Sequence, residues 1–85
     1  MNFLAKIYVT LKASVLDPQG TTVTHALHAQ NFLSVSDVRV GKYMEVTLSA
    51  QSKEEAATLV RDMCDQLLTN PVIETYTFEL TEAQS

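Results

Sequence analysis

Val38-Arg39-Val40-Gly41-Lys42-Tyr43-Met44-Glu45-Val46-Thr47-Leu48-Ser49-Ala50 decides the fold, because its alternation sets the number of strands in the sheet. Val38 and Val40 alternate with Asp37 and Arg39, while Met44, Val46, Leu48 and Ala50 alternate with Glu45, Thr47 and Ser49. A period of two in β-branched and apolar residues means extended chain with one buried face. Gly41-Lys42 reads as a turn between two strands. A two-residue turn pairs Val40 with Tyr43 and sends the apolar sets of the two strands to opposite faces, which register disfavours. A three-residue connection, Gly41-Lys42-Tyr43, pairs Val40 with Met44 and Val38 with Val46, and is preferred.

Upstream, Phe3, Ala5, Ile7, Val9 and Leu11 alternate with Leu4, Lys6, Tyr8, Thr10 and Lys12, which predicts a first strand. Asp17-Pro18 is a helix-start signal, since Asp caps free amides and Pro is tolerated at the first helical position. Val23, Ala26, Leu27 and Gln30 keep helical spacing, and Asn31 suits a left-handed helix end. Downstream, Ser52-Lys53-Glu54-Glu55 is a capping box. It opens a helix whose apolar stripe is Ala56, Leu59, Val60, Met63, Leu67 and Leu68. Pro71 ends that helix by Asn70. Tyr76, Phe78 and Leu80 alternate with Thr75, Thr77 and Glu79 in a last strand, leaving residues 81–85 as a frayed polar tail.

The order β-α-β-β-α-β predicts an α+β fold. The simplest form is a ferredoxin-like sandwich, a four-stranded antiparallel sheet with two helices on one face. Residues 1–85 are read as a single domain. Two helices leave the other face of such a sheet bare, and Leu4 and Tyr8 stand on it. Burying apolar area contributes roughly 2.5 kcal/mol per 100 Å². A homodimer or higher homo-oligomer through that face or a sheet edge is therefore expected, with Leu4 and Tyr8 in the contact.

Charge is uneven. The net charge is −4; residues 1–50 sum to +1 and residues 51–85 to −5. A basic footprint for nucleic acid is missing, and no apolar run is long enough for a membrane helix. The N-terminus lacks the pattern of a signal peptide, so a cytoplasmic protein is expected. Cys64, the single cysteine, reads as a packed thiol. His25 and His28 are two ligands short of a zinc site. Acylphosphatases of similar topology need an arginine in the loop after the first strand, where Lys12-Ala13-Ser14-Val15-Leu16-Asp17 has none. Metal chaperones need a CxxC there. RNA-recognition domains need basic charge beside strand aromatics. No catalytic, cofactor or metal residues are assigned.

Two runs remain as binding candidates. Asp17-Pro18-Gln19-Gly20 holds a glycine in a first helical turn, costing about 1 kcal/mol against alanine, which implies close approach by another backbone or a ligand. Arg39-Val40-Gly41-Lys42 places two cations at the expected hairpin tip, suited to a carboxylate or phosphate on a partner.

With Val9-Thr10-Leu11-Lys12 and Asn70-Pro71-Val72-Ile73-Glu74, the runs Leu16 to Gly20 and Val38 to Lys42 make the chain resemble the PurS family from about Lys6 to Leu80. That family is the small subunit of multi-subunit formylglycinamide ribonucleotide amidotransferase, also called phosphoribosylformylglycinamidine synthase, in purine biosynthesis. The resemblance implies an accessory subunit without an active site of its own. It would join a PurL-type synthetase subunit, which uses ATP and Mg, to a PurQ-type glutaminase subunit and help enclose the ammonia passing between them. It also implies that Asp17, Pro18, Gln19, Gly20, Arg39, Gly41 and Lys42 make subunit contacts. Ala13-Ser14 departs from the Pro-Gly common in the family, and Asn31 from Gly. The alternative reading is a stand-alone regulatory domain that binds a small ligand.

Overall fold

The computed structural model describes residues 1–83. The chain runs β1 (Asn2–Leu11), α1 (Pro18–Ala29), β2 (Gly41–Ser49), α2 (Lys53–Met63), a π-helical turn (Cys64–Leu68) and β3 (Glu74–Ala83). β1 is central in an antiparallel sheet of order β2-β1-β3. The α+β class is as expected, but this sheet has three strands and not four.

The missing strand is the one expected at residues 37–40. These residues form no regular element and join no ladder. Gly41, read as a turn, lies within β2 opposite Thr10, and Val9 faces Lys42. The expected pairing of Val40 with Met44 is therefore absent, and the ferredoxin-like hairpin does not form within the chain. The physical reason is the longer ladder gained by letting Gly41 to Tyr43 continue straight along β1. A side chain at position 41 would collide with the Val9 carbonyl. Glycine is needed there for close backbone packing rather than for a turn.

β1 supplies the core. Phe3, Ala5, Ile7 and Val9 are fully buried, as are Ala56, Val60 and Cys64 on the helix above them. The register sets Ile7 between Met44 and Phe78 on this inner face. On the outer face it sets Lys6 between Glu45 and Glu79. Arg61 lies over the Phe78 ring, 5.7 Å from its centroid.

The capping box holds. The Ser52 hydroxyl accepts from the Glu55 amide at 3.1 Å, and Glu55 accepts from the Gln51 amide at 3.4 Å. The helix ends in a wider turn, in which the Thr69 amide donates to the Cys64 carbonyl at 3.0 Å and the Thr69 hydroxyl to the same oxygen at 2.7 Å. α1 stops at Ala29, and Asn31, two residues on, takes the left-handed conformation expected of it, with φ 72°. The Phe32 amide closes the motif on the Leu27 carbonyl at 3.0 Å.

α1 does not cover the sheet, and neither core cluster includes its residues. Its expected apolar stripe is turned outward, with Val23 and Ala26 exposed, while Gly20 and Thr24 are buried against the returning chain. β3 extends through Ala83, so residues 81–83 are strand rather than a frayed tail; residues 84 and 85 lie outside the described range. Among the described residues no helix is long and apolar enough to cross a membrane.

Val60→Ala should cost about 2 kcal/mol by opening a cavity beneath α2. The midpoint of urea unfolding, compared at fixed protein concentration, measures this.

Candidate functional site

Four runs that are scattered in the sequence meet at one end of the sheet. Asp17 is the centre. It caps α1, its Oδ1 accepting from the Gly20 amide at 3.0 Å. Its Oδ2 accepts from the Val40 amide, 23 residues away, at 2.8 Å. The same carboxylate therefore fixes both the start of α1 and the segment leading into β2. These bonds, Val40 first and Gly20 second, hold the Asp17 carboxyl below its ordinary 3.8.

Gly20 sits where the sequence demanded close approach. A Cβ at this position would collide with the Val38 carbonyl, so the neighbouring backbone is the chain's own. Further along the helix the Thr24 hydroxyl donates to the Gly20 carbonyl at 2.9 Å, and His28 Nε2 lies 2.7 Å from the Val35 carbonyl oxygen. α1 and residues 35–40 thus form one arm. His28 is committed to this arm, and its neighbour His25 is exposed.

The two cations are also engaged. Arg39 Nη2 donates to the Lys12 carbonyl at 2.9 Å. Lys42 Nζ lies 3.5 Å from Glu74 Oε2, and Glu74 Oε1 accepts from the Asn70 amide at 2.7 Å. The Lys12 amide donates to the Ile73 carbonyl at 2.8 Å, which ties the loop after β1 to the start of β3. Thr10, Asp17, Gln19, Gly41, Lys42 and Glu74 line a cleft of about 220 Å³ between these connections. Gln19, which lines it, and the adjacent Pro18 are exposed. The site residues expected from the sequence are therefore brought together, apart from Leu4 and Tyr8.

Those two lie on the outer sheet face. Leu4 is half-buried, and Tyr8 packs against Tyr43 with centroids 5.1 Å apart and the rings tilted at 42°. Lys6 and its flanking glutamates separate them, so they form no continuous apolar patch. The Tyr43 hydroxyl donates to Glu45 Oε2 at 2.7 Å, and this bond pushes its pKa up to about 12.

Nothing local in the sequence links Glu74 to Lys42; only the antiparallel registers bring the starts of β2 and β3 to the same end of β1, one on each side of it. The Cys64 thiol is buried, which raises its pKa and keeps it protonated. Among the described residues, no three His, Cys, Asp or Glu side chains converge on a possible metal position. The carboxylates and cations of the cleft hold chain segments together, and none is paired with a nucleophile.

Asp17→Asn should lower the melting temperature at neutral pH, since it removes the charge that two amides point at. The wild-type contribution is complete above the ordinary carboxylate range and disappears as pH falls through the depressed Asp17 value. The gap between the two melting temperatures should accordingly begin to narrow below about pH 4 and close once the pH has passed the depressed Asp17 value, as followed by circular dichroism across pH.

Residues 4–82 match a sequence model of the PurS family, described as phosphoribosylformylglycinamidine (FGAM) synthase. The chain is similar to the PurS subunit of that synthase from Bacillus subtilis, with 51% identity over 80 residues covering 94% of each chain. The fold matches a crystal form of the B. subtilis protein with a TM-score of 0.82 at 50% identity, over 94% of this chain and 99% of that one. A structure of PurLQS from Thermotoga maritima contains a chain that matches with a TM-score of 0.87 at 33% identity, over 95% of this chain and 99% of that one. The convergence of the four signature runs and these likenesses over nearly the full length agree: the chain belongs to the PurS family, a subunit of phosphoribosylformylglycinamidine synthase in purine biosynthesis.

Proposed function

We propose that this chain is the non-catalytic accessory subunit of the synthase, bridging a PurL-type synthetase subunit and a PurQ-type glutaminase subunit in the cytoplasm. The assembly uses ATP and Mg on the synthetase side, and this chain supplies surface. Glutamine hydrolysis and amide activation occur on different subunits, so ammonia must travel between them. Ammonia lost to solvent is protonated and ceases to be a nucleophile. A protein that fixes the two partners and closes the route preserves its effective concentration.

The observation that carries this reading is the state of the cleft's polar groups. Asp17, Arg39, Lys42 and Glu74 are each bonded to their own chain, which suits a rigid docking edge and not a reaction centre. Gln19 and the exposed flank of Pro18 are its free contact positions. Self-association belongs to the same proposal. The outer face with Leu4 and Tyr8 is interrupted by charge, whereas the inner face is only partly covered, so the inner face is the better homodimer surface. The ferredoxin-like layout, with its fourth strand and second helix, is proposed for the assembled subunit.

Glutamine-dependent amidotransfer by the synthetase and glutaminase should fall at least about tenfold when this chain is left out, the scale expected when two sites are no longer held together. Full turnover without it would refute the accessory role. Arg39→Ala should weaken pull-down of the two partners while leaving far-UV circular dichroism unchanged, because Arg39 is exposed and makes one hydrogen bond. Undiminished pull-down would remove Arg39 from the contact surface.

A further inference from the structure

The cations of this acidic chain are unevenly matched. Three of its six Lys and Arg residues stand beside acids: Lys6 between Glu45 and Glu79 in the register, Lys53 before Glu54 and Glu55, and Arg61 before Asp62. The other three, Lys12, Arg39 and Lys42, gather where β1 ends and β2 begins, and all three are exposed. The acids at that end face inward. Asp17 is buried, and its two oxygens accept from the Gly20 and Val40 amides. The Glu74 side chain, 16% exposed, accepts from the Asn70 amide and meets Lys42, whose own side chain is 53% exposed. Within residues 9–20, 35–42 and 70–74 the one exposed carboxylate is Asp37. In a molecule of net charge −4, this end therefore shows a positive surface.

The same end carries apolar side chains that are exposed and held still. Val72 is 76% and Leu16 77% exposed. Val72 stands in a loop whose every amide is bonded. The Asn70 amide donates to Glu74, the Val72 amide to Asn70 Oδ1 at 3.1 Å, and the Ile73 and Glu74 amides to the Asn70 carbonyl at 3.1 and 2.7 Å. Lys12 is fixed as firmly: its amide donates to the Ile73 carbonyl, and its carbonyl accepts from Arg39 and from the Val15 amide, both at 2.9 Å. A surface fixed before contact loses little entropy on binding, so more of its contact energy appears as affinity. An arginine beside rigid apolar groups is the composition of a protein–protein contact.

A phosphate group fits this end poorly. Its charges would meet Asp17 and Glu74 on the cleft walls, and the Gly20 amide at the start of α1 already serves Asp17. Carboxylates on a protein surface can meet the three cations from outside without entering the cleft.

We infer that this end of the sheet docks an acidic segment of a partner subunit. Carboxylates on the partner meet Lys12, Arg39 and Lys42, and apolar side chains beside them pack on Val72 and Leu16. The inference rests on the accessory role proposed above; it names the chemistry of the partner's surface and adds Lys12, Leu16 and Val72 to the contact. The acids elsewhere on this chain repel the same segment, so the charge pattern also sets which end approaches first.

The test measures association of the full-length chain with the synthetase and glutaminase subunits by biolayer interferometry. The association rate should fall about tenfold or more as chloride rises from about 50 to about 500 mM. Lys12→Glu should raise the dissociation constant at least about tenfold, and Val72→Ala at least about fivefold. Far-UV circular dichroism should be unchanged in both, because the bonds at these exposed positions are made by the backbone. Lys53→Glu is the control. It makes the same change in net charge beside Met1 and Phe3, at the other end of β1 about 30 Å away, which is several screening lengths, and should leave the affinity as it is. Equal losses from Lys12→Glu and Lys53→Glu, or an undiminished affinity in Lys12→Glu or in Val72→Ala, overturn the docking end and leave the accessory role standing. Inorganic phosphate that displaces the partners beyond the effect of chloride at equal ionic strength also overturns it, by assigning the cations to a phosphate group. A wild-type chain that binds neither subunit overturns both.

Discussion

The carboxylate of Asp17 accepts one amide from the first turn of α1 and another from Val40, at 3.0 and 2.8 Å. A helix N-terminus concentrates unpaired N–H groups, and a negative charge placed there satisfies them better than a neutral acceptor. Because the second amide belongs to a distant segment, a local cap becomes a tertiary clasp. The direction of α1, the course of residues 35–40 and the entry into β2 all follow from it. With Gly20 pressed against the Val38 carbonyl, helix and segment lie so close that no side chain fits between them.

The consequence is an unusual division of labour along the chain. β1 and α2 build a conventional core from Phe3, Ala5, Ile7, Val9 and Val60. The arm is held by polar bonds and close backbone contact, with its apolar residues facing out. An arm that turns Gly20 and Thr24 to its own chain, and Val23 of the helix with Phe32 and Leu33 just beyond it to solvent, is organised for something beyond that chain. This is the physical content of an accessory subunit: its side chains are spent on shape, and its exposed apolar surface is where association gains free energy.

Much of this was legible residue by residue. The alternation in Phe3 to Leu11, the Ser52 capping box, the Asp17-Pro18 start and the Asn31 stop are signals read within a few positions, and each element appears where they place it. Gly20 announced a close approach, and Val38 provides it. The hairpin at Gly41 was not legible. A glycine between two alternating segments fits a turn and a tightly packed strand equally well, and the choice depends on whether β1 offers a partner as far as Thr10.

The sequence by itself determined the α+β class, the boundaries of the helices, the inward face of β1 and, through its four short runs, the family. Those properties depend on spacing and local hydrogen bonding, which neighbours along the chain control. Only the tertiary structure decided that the sheet has three strands, that α1 lies off it, and that Lys42 meets Glu74. Each of these depends on which distant segments compete for the same ladder or the same charge, and that competition is settled by the folded chain as a whole.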